Sequence, residues 1–316
     1  RILERIGVRD VYMVGEQAYP DGNFPTCPYP NPEIREALER GIALCEQVKP
    51  DLLLATDPDA DRVGIAVKDG DDYQLLTGNE TGALLFDYIC RMRSQLGKMP
   101  ARPLAVTTIV STSIVDAIAA DHGVELKRVL TGFKYIGGIQ RELEEAGELD
   151  RFIFGFEESY GYLAGCHARD KDAIVASMLI CQMARAYRSE GMNLYQAMQA
   201  LYQKYGYHHN RTLAFTFEGA SGAARMAEIM DSLRADGLDS VAGKAVLETL
   251  DYQPGSGMLP PANVIEFDLE DSCKVIVRPS GTEPKIKVYL FTTGASMEDA
   301  RGVGDELAEA LNVLFQ

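Results

Sequence analysis

Apolar and polar positions follow three successive patterns along this chain. In the first stretch, Leu52-Leu53-Leu54-Ala55 and Val63-Gly64-Ile65-Ala66-Val67 are short, nearly continuous apolar runs, the pattern of buried strands. Ahead of them, residues 11–14 read as a further strand. Ile34, Ala37, Leu38, Gly41, Ile42 and Cys45 recur at helical spacing. The helix they predict opens at Asn31-Pro32-Glu33, with Asn as N-cap and Pro at the first helical position, and ends at Lys49-Pro50. Asp69-Gly70 predicts a hairpin turn. Thr77-Gly78-Asn79-Glu80 is a capping box for a helix running to Gly97.

The second stretch repeats the alternation of strands and helices. Residues 104–110, 125–130 and 152–154 read as strands and 113–122 as a helix. Two long helices follow over 172–190 and 193–205. Their apolar stripes (Ile174, Met178, Leu179 and Met183, then Met198, Leu201 and Tyr202) read as core filler. From His208 the pattern changes. Strands are predicted over 212–217, 244–250, 264–267, 274–277 and 285–291, with helices over 221–235 and 296–314. Short loops between most of these strands favour an antiparallel sheet with its helices on one side. The predicted fold class is α/β: two consecutive mixed α/β sheet domains, residues 1–98 and 99–207, then a C-terminal α+β domain with an antiparallel sheet, residues 208–316. No internal repeat is visible. Residues 1–7 read as the last turns of an amphipathic helix without an N-cap, so the chain reads as starting inside a domain.

Composition narrows the function classes. The net charge of −16 argues against nonspecific nucleic-acid binding, which needs a basic surface. An anionic ligand must then be held by local basic loops. No apolar run approaches the length of a membrane span, so no membrane partner is expected. The six cysteines are scattered and form no CxxC pair, which suggests free thiols in a reducing cytoplasm.

Four segments carry candidate chemistry. The first is Asp57-Pro58-Asp59-Ala60-Asp61-Arg62, between two predicted buried strands. Residues two apart in an extended segment point the same way, so Asp57, Asp59 and Asp61 can converge. Converging carboxylates call for a cation, and Mg²⁺ is the usual one where phosphate is handled. Arg62 adds a planar fork suited to a phosphate beside the metal. A solvated acidic turn is the plain alternative, though an unpaired acidic triplet between buried strands is costly. An EF-hand fails, because its Gly and Glu places hold Arg62 and Lys68. A phosphatase with an Asp nucleophile stays open from these residues alone. The second segment, residues 131–138, holds Thr131, Gly132 and Lys134. Its glycines allow close backbone approach to a ligand and Lys134 adds charge. The third is Glu157-Glu158-Ser159, whose carboxylate and hydroxyl groups suit sugar hydroxyls. Arg169-Asp170-Lys171-Asp172 follows, by itself a charged helix cap. The fourth, Arg278-Pro279-Ser280-Gly281-Thr282-Glu283-Pro284-Lys285, combines cations, hydroxyls and a Gly-freed backbone into an anion cradle.

These four segments, in this order, resemble the α-D-phosphohexomutase family of phosphoglucomutases, phosphomannomutases and relatives, across the whole chain. Asp-Pro-Asp-Ala-Asp-Arg is similar to its Mg²⁺ loop. Gly-Phe-Lys-Tyr-Ile-Gly and Phe-Glu-Glu-Ser-Tyr-Gly are similar to its third-domain sugar loops, and Arg-Pro-Ser-Gly-Thr-Glu-Pro to its fourth-domain phosphate loop. The resemblance implies an isomerase that moves a phosphate between hexose 1- and 6-positions through a phosphoserine, with glucose 1,6-bisphosphate as activator and intermediate. It implies Asp57, Asp59 and Asp61 as metal ligands and Arg62 on the phosphoserine side. Thr131, Gly132, Lys134, Glu157 and Ser159 would serve the sugar, and Arg278, Ser280, Gly281 and Thr282 the phosphate that is not reacting. Lys171 is a candidate phosphate-side cation or general acid. Phosphomannomutase and phosphopentomutase activities are alternatives within the family; a non-catalytic sugar-phosphate-binding protein or a Mg²⁺-dependent phosphatase are alternatives outside it. The family's Ser-His-Asn-Pro phosphoserine motif does not occur in these residues. The resemblance therefore implies a chain lacking the first domain, inactive by itself and a weak Mg²⁺ binder.

Overall fold

A computed structural model describes residues 2–315 except Met258 and Thr282, and leaves out the Ala220 side chain. The chain forms two compact units. The first comprises residues up to Ser111 together with Val115–Lys204, and the second comprises Thr112–Ile114 with the residues from Tyr205 onward.

The first unit begins with a short helix α1 (Ile2–Arg5) and contains two sheets. Helix α2 (Arg35–Val48) turns Leu38 and Cys45 onto Leu53 and Ala66 of a three-stranded antiparallel sheet. That sheet is β1 (Leu52–Thr56), β2 (Val63–Asp69) and β3 (Asp72–Leu76), in that order. The predicted Asp69-Gly70 turn joins β2 to β3, with Asp69 opposite Asp72 and Gly70 at a φ of +63°. The acidic segment is the loop of the β1–β2 hairpin, closed by the pairing of Thr56 with Val63.

Two expectations fail here. Residues 11–14 are not a strand: Val11, Tyr12 and Met13 are 47%, 58% and 65% exposed and pair with no strand among the described residues. An apolar stretch without a ladder partner stays irregular. The helix also opens later than expected, at Arg35. The Asn31 side chain accepts from Glu33 N at 3.0 Å, making a local turn ahead of the helix instead of capping it.

Helix α3 (Gly78–Gln95) starts at the predicted capping box and lays its buried face on the second sheet, Phe86 stacking on Phe154 and Phe154 on Phe156. Around that sheet the chain runs β4 (Leu104–Thr108), α4 (Ile114–His122), β5 (Glu125–Val129), α5 (Phe133–Glu145), β6 (Phe152–Glu157), β7 (Gly161–Leu163), α6 (Ala173–Ser189) and α7 (Leu194–Tyr205). The strand order is β5-β4-β6-β7, with β4 parallel to β5 and β6 and only β7 antiparallel. Residues 131–138 are therefore not one loop. From Phe133 they are helix, with Phe133, Ile136, Ile139 and Leu143 forming its buried face.

The second unit is one antiparallel sheet with helices against it. In chain order it holds β8 (Tyr207–Thr216), α8 (Gly219–Ala235), β9 (Ser240–Val241), β10 (Lys244–Asp251), β11 (Ile265–Leu269), β12 (Lys274–Pro279), β13 (Lys285–Gly294) and α9 (Met297–Phe315). The sheet order is β8-β13-β12-β11-β10-β9. Val275, Val277, Ile286, Val288 and Leu290 share a core with Met230 and Leu233 of α8 and Leu307 and Leu311 of α9. Alternate residues thus face the helices, and Arg278 and Lys287 fall on the other face.

Candidate functional site

In the first unit, the acidic hairpin loop holds its like charges close without unfolding. Asp57 Oδ1 accepts from the backbone N–H groups of Asp61 and Arg62 at 3.1 and 3.0 Å. Ala60 takes a left-handed φ of +57°, and its N–H returns to the Asp57 carbonyl. The result brings one carboxylate oxygen from each of Asp57, Asp59 and Asp61 within 4.8 Å of one another. Burial pushes the Asp57 carboxyl up, and its acidic neighbours add to this. Asp61 moves the other way: burial opposes its charge, but Lys171, Asp57 and Arg62 together outweigh it and hold the carboxyl below its ordinary range.

The loop is stitched to the segment that ends the second sheet. Val63 N donates to Tyr160 O, and Ala173 N, at the start of α6, donates to Ala60 O, both at 3.1 Å. Asp172 caps α6 through Ile174 N and Val175 N. This seats Lys171 with its ammonium 2.9 Å from Asp61 Oδ2, 3.2 Å from Asp170 Oδ1 and 5.5 Å from the centre of the Phe133 ring. Burial works against the Lys171 charge, but its carboxylate partners prevail and raise its pKa. Arg62 lies on the opposite flank, with Nε 3.8 Å from Asp57 Oδ2 and 3.7 Å from Asp61 Oδ1.

Beside this cluster are the carboxyl ends of β4, β5 and β6, where open α/β sheets bind ligands. Glu157 is the last residue of β6 and is 6% exposed. Its Oε1 accepts from Gly132 N at 2.7 Å. Gly132 holds a φ of +118°, which side-chain-bearing residues avoid, and it ends the turn into α5. Burial raises the Glu157 carboxyl. Ser159 and Thr131 are half-buried in the adjoining turns. Lys134 is exposed, its ammonium 4.9 Å from the centre of the Tyr135 ring.

In the second unit, the β12–β13 hairpin forms the other candidate loop. Ser280 N donates to Lys285 O at 2.7 Å, Glu283 N to Ser280 Oγ at 3.2 Å, and Phe217 N to Pro284 O at 2.8 Å. Gly281 is exposed with open space around its Cα. Thr282 lies outside the described residues. Lys285 pairs with Glu283 at 3.1 Å.

Sequence reasoning missed three residues. Glu33 binds Arg62 Nη1 at 3.1 Å; its signal was the Asn-Pro-Glu turn, which had been assigned to the helix start. Lys287 stands directly opposite Arg278 in the ladder, and the alternation of Lys285, Ile286 and Lys287 carried that signal. Neither Arg278 nor Lys287 has an ion-pair partner among the described residues. Glu158 accepts from Thr108 Oγ1 at 3.1 Å, and burial with the nearby Glu157 charge pushes its carboxyl up to about 7. No sequence signal separated it from Glu157.

Three family models match in order along the chain. They are phosphoglucomutase/phosphomannomutase alpha/beta/alpha domain II over residues 1–70, alpha/beta/alpha domain III over 77–205, and the C-terminal domain over 223–310. The chain belongs to this family, the α-D-phosphohexomutases. It is 35% identical over 301 residues to a phosphoglucomutase of Staphylococcus epidermidis, covering 92% of this chain and 54% of that protein. Identity to a phosphoglucomutase of Staphylococcus aureus is 34% over 310 residues, covering 94% and 55%. A phosphoglucomutase/phosphomannomutase family protein of Burkholderia thailandensis superposes with a TM-score of 0.62 at 17% identity, over 93% of this chain and 53% of that one. Parafusin, a phosphoglucomutase from Paramecium, gives 0.62 at 18%, over 90% and 50%. At these identities the structures support the fold. The chain spans about half the length of the curated relatives it matches. Among the described residues, no helix is long and apolar enough to cross a membrane.

Proposed function

We propose that this chain supplies the metal, sugar and phosphate loops of a phosphohexomutase that interconverts hexose 1- and 6-phosphates, most simply those of glucose. The observation that carries this reading is the convergence of Asp57, Asp59, Asp61, Arg62 and Lys171 beside Glu157, at the carboxyl ends of parallel strands. The donor set fits Mg²⁺. Its atoms are all carboxylate oxygens, and Asp61 Oδ1 is buried without a hydrogen-bond partner among the described residues, as a ligand atom would be. When bound, Mg²⁺ supplies positive charge to the oxygens of the phosphoryl group in transfer.

The chain's own groups take the remaining roles. Arg62 offers its fork to the phosphate on the metal side. Lys171, held between Asp61 and Asp170, stands as the cation or general acid next to that phosphate. Glu157 keeps one oxygen on Gly132 N and presents the carboxylate to sugar hydroxyls, with Ser159, Thr131 and Lys134 around it. Arg278, Ser280, Gly281 and Thr282, joined by Lys287, take the phosphate that is not reacting. The phosphoserine would come from sequence outside these residues, which contain no Ser-His-Asn-Pro motif. Glucose 1,6-bisphosphate is the activator this chemistry requires. The six cysteines are all free, which supports a cytoplasmic setting.

The test is an assay of the protein carrying its phosphoserine domain, with Mg²⁺ and a glucose bisphosphate primer, across glucose, mannose and pentose phosphates. Conversion of glucose 1-phosphate to glucose 6-phosphate is the expected result, with no turnover by the 316 residues alone. Release of inorganic phosphate in place of isomerisation would contradict the reading and favour a phosphatase.

A further inference from the structure

Glu33 lies outside the segments that carry the proposed chemistry, yet its carboxylate holds one end of Arg62. Arg62 Nη1 donates to Glu33 Oε1 at 3.1 Å, while Nε faces Asp57 and Asp61 at 3.8 and 3.7 Å. The guanidinium is thus strung between two negative poles. Among the described residues its Nη2 has no hydrogen-bond partner.

Glu33 reaches Arg62 from a built turn. Asn31 Oδ1 accepts from Glu33 N, and Ile34 N donates to Asn31 O, both at 3.0 Å. Pro32 is buried and lies against Gly64 of β2. A Cβ at Gly64 would come within 2.9 Å of both the Pro32 carbonyl oxygen and the Pro32 Cβ, so only glycine fits beneath it. Stability does not explain this anchoring, because an ion pair between two side chains about a third exposed contributes little. Charge does not explain it either: a carboxylate next to an anion-binding arginine repels the anion. What Glu33 adds is direction. A guanidinium is planar, so holding Nη1 on Glu33 while Nε faces the Asp57 and Asp61 carboxylates sets where Nη2 points.

We propose that Glu33 is a positioning residue that holds Arg62 so that its free Nη2 edge receives an oxygen of a phosphate monoester dianion at the acidic loop. The proposal rests on the reading of Arg62 as a phosphate-binding group. Glu33 need not touch the ligand to act in this way.

Two measurements on the 316-residue chain test it. The first needs no ligand: exchange between the two Nη groups of Arg62 by rotation about Nε–Cζ, followed by NMR, its cross-peaks assigned by loss in Arg62→Ala. Glu33→Ala should speed that exchange about tenfold, and Glu33→Gln, which keeps an oxygen acceptor, by less than about threefold. Glu33→Asp keeps the charge but shortens the arm and should behave like the alanine variant. Unchanged exchange in Glu33→Ala would overturn the clamp. The second measurement is calorimetric binding of inorganic phosphate in Mg²⁺, with Arg278→Ala and Lys287→Ala present throughout, so that the other candidate phosphate loop does not contribute and wild type here means Glu33 and Arg62 intact. Glu33→Ala should weaken it about fivefold although a negative charge has been removed, and should have no further effect on an Arg62→Ala background. Unchanged or tighter binding in Glu33→Ala, with binding lost in Arg62→Ala, would overturn Glu33 alone. Phosphate binding that survives Arg62→Ala, or is absent from the wild type, would overturn the reading of Arg62 itself, and the exchange rates would then decide the clamp by themselves.

Discussion

The two candidate loops are both hairpin connections, and they are built in opposite ways. The β1–β2 loop gathers three carboxylates, and the chain braces it from several directions. Asp57 is fixed by two N–H groups of its own loop, Ala60 by the start of α6, and Asp61 by Lys171. The β12–β13 loop gathers cations, and its described residues show backbone bonds, a Glu283 N–Ser280 Oγ bond and a Lys285–Glu283 pair, with Gly281 open. The physical reason lies in what each must hold before a ligand arrives. Partly buried carboxylates repel one another and are poorly solvated, so their geometry has to be imposed. A half-exposed Arg and Lys are hydrated, and the incoming anion can organise them itself.

The largest effect should follow from cutting the brace of the acidic loop. Lys171→Met leaves Asp61 with a partly buried charge and no ammonium, so it should lower stability by about 2–3 kcal/mol in chemical denaturation. A loss under about 0.5 kcal/mol would show that the loop holds itself together without Lys171. Arg278→Ala probes the other loop, and there the effect should fall on binding. Charge-assisted contacts are worth about 1.5–3 kcal/mol each, so affinity for glucose 1-phosphate should drop about tenfold or more, with affinity for glucose much less changed. Calorimetry that shows equal weakening of both ligands would remove the phosphate role.

A smaller effect should appear with pH at Glu158. Its folded pKa of about 7 lies above its ordinary 4.5, so the native state holds a proton that the unfolded chain has already released between those values. Stability from this group is therefore present at low pH and lost as pH rises through that window. Glu158→Gln stays neutral throughout and can keep an acceptor for Thr108. Its melting temperature should match the wild type near pH 4 and exceed it at pH 8. A gap that does not change with pH would show that Glu158 ionises freely in the folded state.

Much of this was legible in the residues, for definable reasons. The capping box at Thr77 and Glu80, the Asp69-Gly70 turn and the apolar runs flanking the acidic loop are local signals, and the structure follows them. Residues 11–14 misled because apolar, β-branched content says nothing about whether a partner strand exists. Helix α5 was hidden because Gly137 and Gly138 suggest a loop, while the helical recurrence of Phe133, Ile136, Ile139 and Leu143 decides the matter. That α3 covers Phe154 and Phe156 depends on tertiary packing and is absent from its own periodicity. Glu33 and Lys287 were missed for a similar reason: one reaches Arg62 across 29 positions of sequence, and the other meets Arg278 through strand register.

The central claim is that Asp57, Asp59 and Asp61 form a divalent metal site. Asp59 is the residue to change, because it is exposed and has no hydrogen bond or ion pair among the described residues. Its loss should therefore affect the metal and leave the fold intact. Titration of the 316-residue chain with Mn²⁺, followed by electron paramagnetic resonance, compares the wild type with Asp59→Asn and with Asp71→Asn in the β2–β3 turn. The account predicts one weak site in the wild type, kept in Asp71→Asn and weakened about tenfold or more in Asp59→Asn. Equal Mn²⁺ affinity in the wild type and Asp59→Asn would contradict it.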